Sequence, residues 1–465
     1  IPKKGKKLDN DETPVIPETL VAVKQTFSKK GQWTNLWSLS KIEFLSIVKD
    51  FAFRILIIIG AIFTFFTATE LTQTYGTPSL PLTRFMVQEV SAGILLFSII
   101  ILVIYAGEAV HRTRKNKTFQ FYDALPVTNT TLYVSKIIAL ISVAVVLTFI
   151  TILVGLIFQT YNGFFDYELG TYLAFNFLSI FPSYVTTVLF AFFIHVLVNN
   201  KFLGHFLVII INIGMPILMV FLFEVTNPLL IFQSVPGSFL SDLNGFGHFL
   251  SGSFWLNLYW ILFTTILAIL GLIFWNRGFY SSIKERFKLA KNRFKGKTIL
   301  ATLVFLLLFG AVGAYSYYNL KVLNSIESSD YGSEISAQAE KDYSKYINKP
   351  HIQVIDLKAK VDIFPEKRDV YAEGNFTAVN NFNVPIDTLL MEVTFSIADT
   401  KITEVKYNGT ELKPFLKDSI YRLFMYKLPQ PLQPKDTANL VIKTRALTHG
   451  FSNSPEVEVL NNGTF

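Results

Sequence analysis

The fold class this sequence predicts is a membrane α-helical bundle, six spans plus a seventh, followed by an extracytoplasmic all-β sandwich. Three observations carry it. Half of the 465 residues are hydrophobic, 45 of them Phe, and only 16% are charged, against about 25% in a typical soluble domain. Seven apolar windows in the first two thirds approach the ~20 residues a helix needs to cross a bilayer. After Pro350 the hydrophobic period changes to two, as in half-buried strands.

The net charge of +8 raises the question of nucleic acid. The Lys and Arg residues flank the apolar windows, where they act as orientation signals. No nucleic-acid partner is therefore expected, and membrane lipids are. The chain has no Cys, which removes disulfides and thiolate metal sites. It opens Ile-Pro-Lys-Lys without an initiator Met or a signal peptide and stops at Phe465 inside a β pattern, so a fragment of a longer polypeptide is expected.

Residues 1–32, with Lys3, Lys4, Lys6 and Lys7, read as a basic cytoplasmic linker. Over 33–50, Trp33, Leu36, Trp37, Phe44, Ile47 and Val48 recur at helical spacing, with Lys41, Glu43 and Lys49 interleaved. That pattern predicts an interfacial helix lying in the membrane plane with a charged outer face; a cytoplasmic extension of the first span is the alternative. The spans are expected at Phe51–Thr69, Met86–Ala106, Leu132–Phe158, Tyr172–Val198, Phe202–Val225, Phe254–Trp275 and Ile299–Tyr318. None has a charge near its centre, where one costs about 2.5–3.5 kcal/mol on the insertion scale.

Orientation follows from the short connections. Arg112, Arg114, Lys115 and Lys117 lie between the second and third spans, and 276–298 holds eight further Lys and Arg residues against Glu285. The opposite connections, 159–171 and 226–253, have no Lys or Arg. The N-terminal region is thus expected in the cytoplasm and everything after 318 in the periplasm.

The connection at 107–131 is the most informative segment. Glu108 opens it, Arg112 and Arg114 follow, and its second half is aromatic and broken by Pro. Phe119, Tyr122 and Leu125 stand at i, i+3 and i+6 and can anchor a short helix in a partner's groove. Pro126 ends that helix, and Thr128 or Asn129 can cap the next. The alternative is a plain positive-inside loop with no partner.

These parts, in this order, resemble one half of a type-2 ABC exporter permease over about Trp33 to Trp275. The resemblance implies an in-plane elbow helix at 33–50, six spans at 51–275 and re-entrant helices in the Thr226–Ser253 connection. It also implies a coupling loop in which Glu108, Arg112, Arg114, Phe119, Tyr122, Leu125 and Pro126 engage a separate ATPase that carries the ATP. A second permease half, from the same longer chain or from a second copy, and a bacterial inner membrane are implied too. No nucleotide site is read in this chain: Gly296-Lys297-Thr298 has Lys291 where a phosphate-binding loop has Gly, and it precedes a span instead of following a strand. Asn176 and Asn212 are polar within spans and either line a substrate path or bond between helices.

Residues 319–349 are polar and read as a linker or short helix. Over 350–465, Leu357, Ala359, Val361 and Ile363 alternate, as do Leu389, Met391, Val393 and Phe395, and then Ala438, Leu440 and Ile442. With Asn408-Gly409 as a hairpin turn, this predicts an antiparallel sandwich. Phe364-Pro365-Glu366, Gly374-Asn375-Phe376, Pro385 to Leu389, Leu432 to Asp436 and Asn462 to Phe465 resemble the N-terminal β domain of aminopeptidase N-like (gluzincin) metallopeptidases, incomplete here. The order of the two halves resembles the permease–aminopeptidase fusions of Bacteroidota-type bacteria. A zinc site in that family needs His-Glu-x-x-His. The six His residues here include no pair at i, i+4, so no catalytic residue, metal ligand or cofactor is assigned to this chain. Zinc, and any peptidase activity, would belong to a region beyond Phe465. The leading expectation is an exporter permease subunit; a membrane-anchored zinc aminopeptidase and a membrane scaffold with a non-catalytic β domain are the alternatives.

Overall fold

The computed structural model describes residues 29–71, 73–74, 77–238, 240, 245–277, 283–324, 330–393, 399–453, 459–460 and 463–464. The basic linker with Lys3, Lys4, Lys6 and Lys7 lies almost wholly outside them, as do Phe395 and parts of the 276–298 and 462–465 segments.

Helix α1 (Lys29–Val48) precedes α2 (Phe51–Leu71), and a two-residue hairpin, β1 (Gln73–Thr74) with β2 (Thr77–Pro78), leads into α3 (Thr83–Lys115). The short α4 (Phe119–Ala124) separates α3 from α5 (Asn129–Tyr161). Then come α6 (Leu169–Phe175), α7 (Phe181–Leu197), α8 (Lys201–Ile209), α9 (Met215–Phe221) and α10 (Phe249–Phe274). The α11 helix (Ile283–Arg293), α12 (Lys297–Tyr317) and α13 (Tyr331–Ile347) complete the helical part. Seven helical stretches among the described residues are long and apolar enough to cross a membrane, with α6–α7 and α8–α9 each counting once.

Those two composite spans contain π segments, Asn176–Ile180 and Ile210–Gly214. Each ends one residue before the first turn of α7 or α9, where Pro182 and Pro216 stand. Proline has no N–H and its ring collides with the carbonyl four residues back; a local π widening relieves both. The bundle core is built from Leu102 and Ala106 of α3, Leu140, Val143 and Ala144 of α5, and Tyr184, Val188 and Phe192 of α7. Glycines let large side chains approach. A Cβ on Gly271 would stand 2.4 Å from the Tyr133 hydroxyl, which donates to the Ala268 carbonyl at 2.7 Å.

The 222–248 connection contains turns, and no helix among its described residues, so the re-entrant helices implied by the resemblance are not what enters the bundle. A turn does. Phe232 packs against Phe190 and Trp260 with ring centroids 4.8 and 5.3 Å apart. Gln233 accepts from the Ser183 hydroxyl at 3.0 Å and donates to Thr187 at 3.2 Å. Gln233 has φ 59°, and its own half-buried amide finds in the two α7 hydroxyls the partners it loses on leaving water. The polar stretch after α12 contains the 17-residue helix α13.

The expected all-β part follows. It comprises β3 (Gln353–Phe364), β4 (Asp369–Val379), β5 (Ile386–Glu392), β6 (Asp399–Tyr407), β7 (Thr410–Glu411), β8 (Pro414–Asp418), β9 (Leu423–Leu432) and β10 (Thr437–Leu447). One antiparallel sheet has the order β3-β4-β10-β6-β7 and the other β5-β9-β8. They share a core of Ala378, Leu389, Val405, Tyr407, Tyr426, Leu428 and Leu440. Asn408 (φ 46°) and Gly409 (φ 83°) form the predicted two-residue turn, with Tyr407 opposite Thr410. Positive φ at both positions is what a type I′ turn requires.

Candidate functional site

Hydropathy fades near Ala106, but α3 continues as helix to Lys115. Glu108, Arg112 and Arg114 therefore lie on its last two turns, and only 116–118 and 125–128 are non-helical within the connection. Glu108 pairs with Lys201 at the start of α8. Arg112 reaches α1, where Nη2 meets Glu43 Oε2 at 2.6 Å and Nη1 donates to Ser46 Oγ at 2.7 Å. Lys136 on the second turn of α5 takes the other carboxylate oxygen, Nζ to Oε1, also at 2.6 Å. Glu43 is 3% exposed and Lys136 5%. One buried carboxylate thus ties together α1, the end of α3 and the start of α5, each oxygen taking one charge-assisted bond. One turn and more before Arg112 on α3, the Tyr105 hydroxyl donates to Asp50 Oδ2 at 2.9 Å.

The chain reverses after α3 through Lys117, at φ 57°, and enters α4. Thr128 is the cap of α5, its hydroxyl accepting from Thr131 N at 3.1 Å, which satisfies one of the free donors of a helix start. Leu125 is extended, as a residue before proline should be. The carbonyls of Asp123, Leu125 and Val127 accept from Arg277. Arg114 donates to the Asn276 carbonyl at 2.8 Å. The short helix is held from both sides, and its apolar residues divide. Phe119 and Tyr122 are half-buried against their own chain. Burial raises the Tyr122 hydroxyl pKa, the Glu43 charge adds to that, and Arg112 opposes it. Phe121 is 78% exposed and Leu125 39%; with Pro126, also exposed, they face away from the bundle.

Three arginines serve helix ends. Arg286 of α11, buried, donates to the carbonyls of Leu197 and Phe274 at 2.9 and 3.4 Å, to that of Val196, and to Asn199 Oδ1 at 3.1 Å. Arg293 donates to the carbonyls of Ile273 and Trp275. With Arg277 on α4, these supply the orphan carbonyls that every helix end exposes.

Three histidines that sequence reading treats singly converge at the same end. The His111 and His195 ring centroids are 5.5 Å apart, and those of His195 and His205 4.7 Å. Gly107 and Gly204 make the room: a Cβ there would come within 2.4 Å of His205 and 2.3 Å of His195. No group of three His, Cys, Asp or Glu among the described residues is arranged to hold a metal ion.

Asn176 is fully buried in the first π segment, donating to the Tyr172 carbonyl at 3.0 Å and paired with Ser91 at 3.3 Å. Asn212 stands in the second π segment, its buried Nδ2 without a hydrogen-bond partner. No hydrogen bond joins the two among the described residues.

Residues 41–216 match a family model described as ABC-2 family transporter protein, a match that supports an ABC-type permease for this part of the chain. No curated protein matches. Among solved structures, the M1 zinc metallopeptidase from Deinococcus radiodurans is 13% identical at a TM-score of 0.18, over 21% of this chain and 21% of that one. A mutant of the same enzyme is 16% identical at 0.18, over 23% of each chain. The chain thus spans under a quarter of the length of these enzymes.

Proposed function

We propose that the bundle is one permease half of an ABC-type exporter, with α4 as its docking element for a separate, ATP-carrying ATPase. The observation that carries this reading is the mounting of α4. Arg277 grips the carbonyls at and beyond the C-terminal end of α4, while Glu43 joins the two long helices on either side of α4 to α1. Phe121 and Leu125 are left outward. A lever that passes on a rigid-body movement needs stiff attachment and an exposed apolar contact, and a plain loop needs neither. On this reading Glu108, Arg112 and Arg114 position the lever, Phe121 and Leu125 touch the partner, and Phe119 and Tyr122 seat the helix on its own bundle. The α4 end then faces the cytoplasm of a bacterial inner membrane and the β domain the periplasm. A second half, in the same longer chain or in a second copy, completes the path, with Asn176 and Asn212 as candidates for its wall. The β domain is an external module with an aminopeptidase-like pattern.

The test replaces Phe121 and Leu125 together with Ala and asks whether an ATPase still co-purifies and hydrolyses ATP. Loss of both with an unchanged melting temperature is the expected result. Phe119→Ala or Tyr122→Ala should lower the melting temperature as well. Retention of the ATPase and its activity by the double variant, or absence of any ATPase from the unsubstituted complex, would overturn the reading.

A further inference from the structure

At the opposite end of the bundle, the segment after β10 leaves the β domain and plugs into the helical part. Phe451 is 5% exposed and shares a cluster with Leu256 of α10 and Leu320 beyond α12. Leu229, Val235 and Trp255 pack around that cluster. Leu229 and Val235 bracket the inserted turn that carries Phe232 and Gln233. The Phe451 ring therefore belongs to the same small cluster as both flanks of the turn that packs between α7 and α10.

The polar contacts fix this arrangement. Asn324 Nδ2 donates to the carbonyls of His449 and Phe451 at 3.0 and 3.2 Å. Arg368, from the β3–β4 turn, donates to the Gly450 carbonyl, and Thr448 N donates to Asp369 Oδ1 at 3.4 Å. Gly450 has φ 54°, and a Cβ on it would lie 2.1 Å from Asn319 Oδ1, so the backbone approaches the end of the seventh span as only glycine allows. The buried cluster is small, the rings of Phe451 and Trp255 with a few aliphatic side chains.

We propose that residues 448–452 are a latch through which the β domain holds the 226–238 turn in the bundle, so that displacing the β domain frees this lid. The latch is a statement about two parts of this chain. Only its consequence, that opening the lid admits or releases cargo, rests on the permease reading.

The chain contains no Cys, so single cysteines report cleanly. Ser234→Cys in the lid, labelled in intact membranes or mild detergent by a maleimide, should react about tenfold or more faster when Phe451→Ala is added, since truncating a buried Phe shifts a local opening equilibrium by more than one factor of ten. Asn324→Ala, which removes the hydrogen bonds to the His449 and Phe451 carbonyls, and a local one to Asn319, without opening a core, should give a smaller acceleration. A second pair, Gly252→Cys with Ser452→Cys, spans the contact; a Cβ at 252 lies 3.6 Å from the Ser452 carbonyl oxygen. Its oxidation should slow the labelling of the lid, and reduction should restore it. Unchanged labelling in both Phe451→Ala and Asn324→Ala overturns the latch, whatever the ATPase does. Accelerated labelling in a chain with which no ATPase associates keeps the latch and removes the permease reading.

Discussion

Replacing Glu43 with Ala tests whether the buried carboxylate organises the α4 end. The substitution leaves the Lys136 ammonium, whose side chain is 6% exposed, without its anion, and strips one bond from Arg112, whose side chain is 28% exposed. Removing one partner of a buried ion pair costs about 3–5 kcal/mol, chiefly because the other charge stays buried and uncompensated. Nearly all of that falls on Lys136. Arg112 keeps Ser46 as a partner and reaches water, so its share is screened toward the ~0–1 kcal/mol of surface pairs. A loss of about 3–4 kcal/mol is therefore expected, measured by reversible denaturation in mild detergent. Two controls sharpen the inference. Glu43→Gln keeps the volume and an acceptor and should lose less. Glu43→Leu combined with Lys136→Met removes both charges and should recover most of the loss, because an apolar replacement of a whole pair is often neutral. The coupling between positions 43 and 136 in that cycle should exceed ~1 kcal/mol. A Glu43→Ala protein within ~0.5 kcal/mol of the original, the range of ordinary surface substitutions, would refute the clamp. So would a double variant no more stable than the single one.

Three further outcomes follow from other contacts. Arg286→Lys should destabilise by about 1–3 kcal/mol, because a single ammonium has no planar fork and leaves buried carbonyls unsatisfied; thermal unfolding measures it. Gly271→Ala should cost about 1–3 kcal/mol by overpacking against the Tyr133 hydroxyl, and adding Tyr133→Phe should relieve part of that non-additively. Tyr343 of α13 donates to Asp418 Oδ2 at 2.7 Å. That bond first, then burial and the charges of Asp418 and Asp342, push its pKa from the ordinary 10 up to about 12. A raised folded-state pKa means the contact is fully present below pH 10 and is lost as pH rises through about 12. The tether of α13 to the β domain should therefore hold at pH 9 and release between 10 and 12, with a late tyrosinate absorbance step that Tyr343→Phe removes.

The features legible in the sequence are those with a local period. Long charge-free windows gave the membrane helices, and Asn408-Gly409 between apolar strands gave its turn. Glu43 was legible only in part. Read along the chain it falls with Lys41 and Lys49 as a charged face, yet on a helix it shares a stripe with Ser40 and Ile47, all three under 5% exposed. That i, i+3, i+7 stripe was available as a signal. Its partners, 69 and 93 residues away, were not, because no local pattern pairs residues so distant. The histidines behave likewise: each is an unremarkable residue on its own helix, and Gly107 and Gly204 explain their meeting only after α3, α7 and α8 have packed. For α4, the i, i+3, i+6 spacing marked the stripe of Phe119, Tyr122 and Leu125, of which Phe119 and Tyr122 are half-buried and Leu125 is exposed beside Phe121. Arg277, which holds the carbonyls at and after the end of α4, comes from another connection at least 150 residues further on.

The basic residues at the α4 end show why charge counts read both ways. The C-terminal ends of α3, α4, α7 and α10 gather there, and each exposes carbonyls without intrahelical donors together with the negative end of its dipole. Arg114, Arg277, Arg286 and Arg293 donate to carbonyls in that layer, so side chains that a hydropathy reading counts as orientation signals are also the donors that close helix ends. A Lys in their place would keep the orientation charge and lose the fork. Replacing these arginines by lysine therefore separates the two roles: insertion should be unchanged, while the helix ends loosen.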